Sequence, residues 1–218
     1  MRSNRGGGMI LLGLTLILAA ALLTGYNFWE QRRSEETVEL TMNQLNEKVV
    51  RKETPSLQVQ YWTSDGAVLP DKSEWEYPDY VLYPRMEMPE QTINGREYIG
   101  ILEIPSLDLE LPILSSWSYP ALKIAPARYE GSAYLDNLII AAHNYKSHFG
   151  QIHTLGQGER LTFTDIDGNV FVYEAVAVET LQPTAVEEMC SGDWDLTLFT
   201  CTLGGKFRVT VRCDRVEE

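Results

Sequence analysis

Hydrophobic positions along the chain follow three successive patterns. From Met9 to Tyr26, "MILLGLTLILAAALLTGY", no residue is charged, and this length is near the lower limit for a helix crossing the hydrocarbon core of a bilayer. Phe28 and Trp29 follow where an interfacial aromatic belt would lie. Arg2, Arg5 and the small run Ala19-Ala20-Ala21 also suit a cleaved signal peptide. The apolar run is longer than a usual signal core and continues through Leu22, Leu23 and Tyr26, which favours an uncleaved, single-pass anchor over a cleaved signal or a buried core helix.

From Arg33 to Lys52 the period changes. Val38, Met42 and Leu45 stand in the i, i+4, i+7 relation and Leu45 and Val49 in the i, i+4 relation, among Glu, Gln, Asn and Lys. This predicts an amphipathic helix serving as a stalk or packing helix. Between Glu53 and Asn94, Pro55, Pro70, Pro78, Pro84 and Pro89 preclude long helices and central strands. The aromatics of that stretch, Tyr61, Trp62, Trp75, Tyr77, Tyr80 and Tyr83, exceed what a disordered spacer needs, so part of it is expected on a folded surface.

From Glu97 the chain becomes a series of short β-branched runs: "YIGILEIPSL", "LELPIL", "NLIIAAH", "ERLTFTDID", "NVFVYEAVAVETL", "WDLTLFTC" and "KFRVTVRC". Phe171, Tyr173, Ala175 and Ala177 alternate with Val172, Glu174, Val176 and Val178 at the period of a strand. "DIDGNV" is a hairpin signal, its Asp-Gly supplying positive φ. Seven or eight short strands without a long helix predict an all-β domain, a closed barrel or a sandwich. The expected organisation is therefore a membrane anchor at 1–30, a helical stalk and proline-rich linker at 31–91, and a functional β domain at 92–218.

Charge narrows the partners. A net charge of −13 over 218 residues argues against nucleic acid and anionic lipid surfaces as partners of the main domain, since both demand basic patches. Arg2 and Arg5 on one side of the apolar stretch are matched by Arg32 and Arg33 on the other, so positive charge does not decide the orientation. A long acidic segment translocates largely regardless of local charge, which favours an extracellular main domain. The three cysteines, Cys190, Cys201 and Cys213, leave an odd thiol in an exported protein, and an odd thiol is flagged as reactive. Their spacing matches neither a zinc ribbon nor a CxxC redox pair, and no cofactor or metal is called for.

Three residue types in the β domain suit acyl transfer. Cys201 stands at the end of an apolar strand, either as a nucleophile able to form a thioester or as a buried, inert thiol. His143 directly follows Leu138-Ile139-Ile140-Ala141-Ala142, also at a strand exit, where an imidazole can shuttle protons. His148 and His153 read as surface or packing histidines. Arg208, seven positions beyond the cysteine, and Arg212 share one face of the following strand, so alternation does not separate them as oxyanion donors.

"LTLFTC" matches the TLxTC signature of sortases, the cysteine transpeptidases of Gram-positive cell surfaces. "NLIIAAHNYKSHFGQIHTL" resembles their strand-then-histidine segment, and "FRVTVR" their arginine strand. The resemblance covers roughly Glu97 to Val216 and implies a closed, eight-stranded sortase-like β-barrel with short helices behind an N-terminal transmembrane helix. It implies that Cys201 attacks a backbone carbonyl of an LPxTG-like sorting signal, that His143 is the general acid and base, and that Arg208 holds the signal and stabilises the oxyanion. The resolving amine would come from a peptidoglycan precursor or a pilin lysine, and the substrates would be surface proteins or pilins. Leu198 and Thr200 are expected to shape the pocket, as is Ala142, which replaces the glycine usual before the histidine. The short connection at about 182–194 disfavours the subclass with a long helix there and leans toward a class A or class D type.

Three further readings concern regulation and stability. Leu69-Pro70-Asp71-Lys72-Ser73 is a degenerate sorting motif that could fold over Cys201 as a lid, or a coincidence in a proline-rich linker. Cys190 and Cys213 could pair and leave Cys201 free. Asp165, Asp167 and Glu174 fit a solvated turn as well as a calcium site. The competing functions are another extracellular cysteine peptidase or cell-wall transpeptidase, and a non-catalytic β-barrel adhesion or scaffold domain.

Overall fold

The computed structural model describes residues 5–49 and 77–216. The candidate lid motif at 69–73 and the linker aromatics Tyr61, Trp62 and Trp75 lie outside them.

A single helix, α1 (Arg5–Lys48), carries both N-terminal patterns without a break at residue 30. Its apolar half is not buried and is long enough to cross a membrane, which fits an anchor or a signal. Its second half packs on the β domain. Val38, Met42, Leu45 and Val49 join the hydrophobic core, with Ser34 and Thr41 buried on the same face. Leu40, on the opposite face, stays exposed. The amphipathic periodicity therefore reflects packing against the domain it precedes.

After a short helix α2 (Asp79–Leu82), the chain enters β1 (Gln91–Ile93), β2 (Arg96–Ile104) and β3 (Leu109–Leu114). A one-turn helix α3 (Tyr119–Leu122) leads to β4 (Ala127–Glu130), β5 (Leu138–Ala142), β6 (Arg160–Asp165) and β7 (Val170–Leu181). A second one-turn helix, α4 (Val186–Cys190), precedes β8 (Leu196–Cys201) and β9 (Arg208–Arg215). The sheet order is β1-β2-β3-β4-β5-β8-β9-β7-β6, and β2 pairs again with β6. That pairing closes an eight-stranded mixed barrel, with the three-residue β1 appended as a hairpin on β2.

Closure depends on Gly100. The β2–β3 register slips between Tyr98 and Gly100, and a Cβ on Gly100 would collide with the Thr164 carbonyl oxygen on β6. Only glycine lets β2 serve both neighbours there. Inside, Tyr98, Phe163, Phe171 and Tyr173 are fully buried. Tyr80 from the proline-rich stretch stacks on Tyr134 with ring centroids 4.9 Å apart, so that part of the stretch does lie on the folded surface. The "DIDG" turn joins β6 to β7, with Gly168 at φ 82°.

Candidate active site

Two parallel strands bring the candidate residues together. β5 and β8 pair in register from Leu138–Leu196 to Ala142–Thr200, so His143 and Cys201 are the next residues after the last matched pair. Thr200 Oγ1 donates to the Ala142 carbonyl at 2.9 Å, tying the two strand ends together. On the other side of β8 the antiparallel β9 places Arg208 directly opposite Cys201.

All three line one cavity of about 300 Å³ on the outer face of the barrel, at the small end of ligand-sized pockets. Ala142 and Thr200 line it too. One wall is aromatic: Trp117 stacks on Tyr129 at 5.2 Å, and Tyr129 meets Phe199 edge-on at 5.2 Å. The opposite wall is the β7–β8 connection with α4, contributing Gln182, Pro183, Ala185, Val186 and Met189. α4 spans five residues, so this connection holds no long helix.

Leu198 does not reach the cavity. Alternation on β8 sends Leu196 and Leu198 into the barrel, where both are fully buried, and leaves Phe199 and Cys201 half-buried on the outer face. The expected pocket role of Leu198 is corrected to a core role, and Phe199 takes the place beside the cysteine.

The two arginines share a strand face but not an environment. Arg212 is 3% exposed. Its Nε donates to Glu179 Oε1 at 2.7 Å, its Nη1 to the Met189 carbonyl at 2.8 Å and Thr197 Oγ1 at 3.1 Å, and its Nη2 to the Glu188 carbonyl at 2.7 Å. It clamps the end of α4 to the barrel. Among the described residues, Arg208 donates to backbone carbonyls of its own hairpin, Gly205 and Phe207, both at 3.2 Å, bonds that an incoming anion can replace.

His143 is half-buried, with Nε2 lacking a hydrogen-bond partner among the described residues. Burial pushes its pKa below the usual value, Glu30 on α1 favours the protonated form and Lys123 opposes it. His148, five residues on, is fully buried and hydrogen-bonds Ser34 Oγ through Nε2 at 2.9 Å. Burial pushes its pKa down to about 3, so it packs as a neutral ring. His153 is exposed on a 3-10 turn.

All three cysteines are free thiols, so the pairing of Cys190 with Cys213 is not formed. The reason is strand alternation. Arg212 faces α4, which carries Cys190, and its neighbour Cys213 therefore points into the barrel core, where burial pushes the thiol up to about 12. No group of three His, Cys, Asp or Glu among the described residues is placed to hold a metal ion. The Asp165 carboxylate is already engaged, accepting from Tyr134 Oη at 2.7 Å, Asn169 N at 2.8 Å and Asn169 Nδ2 at 2.7 Å.

The aromatic wall and the contacts of α1 with the histidine loop were not expected from sequence. Phe199 was legible as the residue two before Cys201 on one strand face. Trp117, Tyr129, Glu30 and Lys123 reach the site from remote segments that carry no local signal.

A model of the sortase domain matches residues 102–216, more than half of the chain. Sortase A of Bacillus anthracis is 27% identical over 137 residues, covering 60% of this chain and 62% of that protein, so the chain spans less than two thirds of that relative. Among solved structures, sortase C1 from Streptococcus agalactiae superposes with a TM-score of 0.51 at 23% identity, over 66% of this chain and 80% of the other. A Clostridium perfringens sortase D5 transpeptidase gives 0.50 at 22%, over 58% and 83%. These likenesses share the barrel, and the domain match runs from the end of β2 through β9: the chain belongs to the sortase family.

Proposed function

We propose that the protein is a membrane-anchored sortase that cleaves an LPxTG-like sorting signal through a thioester on Cys201 and transfers the acyl group to an amine. The observation that carries this reading is the shared cavity of His143, Cys201 and Arg208 at the ends of β5, β8 and β9. The Cys201 thiolate attacks the scissile carbonyl, as thiolates rather than thiols do. Arg208 donates to the oxyanion that forms, leaving the Gly205 and Phe207 carbonyls. Protonated His143 gives its proton to the leaving amine as the C–N bond breaks, and a thioester remains on the cysteine. Neutral His143 then takes a proton from the incoming amine, which attacks the thioester and frees Cys201.

The aromatic wall suits the apolar side chains of such a signal. Surface proteins or pilins would supply it, and a peptidoglycan precursor or a pilin lysine the amine. In this reading the apolar half of α1 spans the bilayer, residues 92–218 form the catalytic unit, and that unit faces the cell exterior.

Mass-spectrometric trapping on Cys201 with a panel of LPxTG-type peptides tests the proposal. An acyl-enzyme that an added amine converts to a transfer product supports it. Hydrolysis without transfer points to a cysteine peptidase. No acylation, together with a Cys201→Ala variant that behaves as the parent, points to a scaffold barrel.

A further inference from the structure

We propose that Glu30, on the anchor helix, is a positioning residue for His143. The inference rests on the reading of His143 as the proton carrier. Glu30 lies just beyond the charge-free stretch of α1 and bridges two segments of the site. Lys123 Nζ, one residue past α3, donates to Glu30 Oε1 at 2.6 Å. Tyr145 Oη donates to Glu30 Oε2 at 3.3 Å. The Tyr145 ring in turn lies 5.0 Å from the His143 ring, tilted by 31°. One turn further along α1, Ser34 bonds His148 and donates to the Ile124 carbonyl at 3.4 Å. α1 therefore grips both the segment after α3 and the loop after β5.

That loop is wound tightly enough to transmit the grip. Phe149 N donates to the His143 carbonyl at 3.2 Å, and His148 N and Gly150 N donate to the Tyr145 carbonyl at 3.0 and 2.9 Å. A Cβ on Gly150 would strike the Asn144 and Tyr145 carbonyl oxygens, so the turn admits no side chain there. A partly exposed ion pair such as Glu30–Lys123 adds little to folding stability. Its effect falls instead on the imidazole: the carboxylate favours the charged ring and the ammonium disfavours it. Among the described residues, Tyr145 and His148 on its own loop also lie near the His143 ring, and Cys201 on β8 and Arg208 on β9 line the same cavity.

The test uses the full chain in lipid nanodiscs. The titration of the His143 imidazole is followed by NMR in the parent, Glu30→Gln, Glu30→Asp, Tyr145→Phe and Lys123→Met, beside the pH profile of kcat/KM. Glu30→Gln lowers the His143 midpoint, Lys123→Met raises it, and Glu30→Asp stays closer to the parent than Glu30→Gln. The acidic limb of the profile moves with each midpoint. Tyr145→Phe lowers kcat with little change in KM. Opposite shifts from the two ionic partners are a signature that loss of packing would not produce. Unmoved midpoints, or shifts in the same direction, overturn the inference, and Lys123→Met still reads it if Glu30→Gln does not fold. The titration needs no turnover, so its outcome is separate from that of the function: a His143→Gln variant with full transfer activity would sink the catalytic reading and leave the electrostatic coupling standing.

Discussion

Thr200 donates its hydroxyl to the carbonyl of Ala142 at 2.9 Å, one residue before Cys201 on β8 and one before His143 on β5. It ties together the last matched pair of the two strands, and Thr200 is buried. Thr200→Val keeps the shape and removes the donor. It is expected to cost about 1–2 kcal/mol of stability and to slow acylation of Cys201 by about tenfold or more, because small misplacements of reacting groups are costly. Thr200→Ser is expected to retain most of both. Denaturant unfolding and single-turnover acylation provide the two readouts.

Arg208 and Arg212 should separate cleanly. Arg208→Ala is expected to lower the acylation rate by about 10²–10³-fold, the usual effect of losing an oxyanion donor, with stability changed by less than about 0.5 kcal/mol, as is usual for surface positions whose bonds are to their own hairpin. Arg212→Ala leaves two carbonyls and the Thr197 hydroxyl without their donor around a buried vacancy, while the exposed Glu179 carboxylate turns to solvent, and is expected to cost about 2–3 kcal/mol. Parallel unfolding curves and acylation rates would expose the opposite result, a stable but inactive Arg212 variant.

His148 makes folding sensitive to acid. Its native pKa is pushed down to about 3 from an ordinary 6.5, so below about pH 6.5 the unfolded chain takes up a proton that the native ring refuses. Its stabilising contribution is complete above that pH and is lost as pH falls toward 3. Asp165 works in the opposite sense, because burial raises its native pKa above the ordinary 3.8 and stability is gained as pH falls through that raised value. The expectation is therefore a difference: between pH 6.5 and 4.5 the parent loses stability more steeply than His148→Gln, measured by unfolding at each pH. Parallel pH dependence would show that His148 is protonated in the native state.

The thiols should react in order of access. Cys201 lines the cavity, Cys190 is half-buried on α4 with its thiol pushed up by burial and a hydrogen bond to Glu130, and Cys213 is sealed in the core. Iodoacetamide on the native chain is expected to modify Cys201 first, Cys190 slowly, and Cys213 only on unfolding. Peptide mapping over time reads the sequence of labelling, and three labels after non-reducing denaturation exclude a disulfide.

Much of this arrangement was legible in the chain. Alternation in "NVFVYEAVAVETL" and the Asp-Gly turn marked β7 and its hairpin, because a half-buried strand and a tight turn are each determined over a few residues. The i, i+4, i+7 spacing of Val38, Met42 and Leu45 marked the packing face of α1. Strict alternation on β8 would also have sent Leu198 inward, since it lies three positions before Cys201 and faces the other way. The arginines were not separable, because what distinguishes them is α4, a five-residue helix whose Glu188 and Met189 carbonyls receive Arg212. The grip of Glu30 on Lys123 and Tyr145 spans about half the chain, and no periodicity encodes a contact at that separation.

In the proposed membrane-anchored state, the unbroken course of α1 also sets a height. Tyr26, the end of the apolar run, and Glu30, which meets the histidine loop, are four residues apart, about 6 Å of helical rise. A stiff rod of that length holds the cavity at a fixed elevation above the plane that Tyr26 marks, where a loose tether would let it roam. Elevation and heading are geared together: one inserted residue lifts the barrel by about 1.5 Å and swings it by about 100°. The reach of the site is therefore tunable only in whole helical turns.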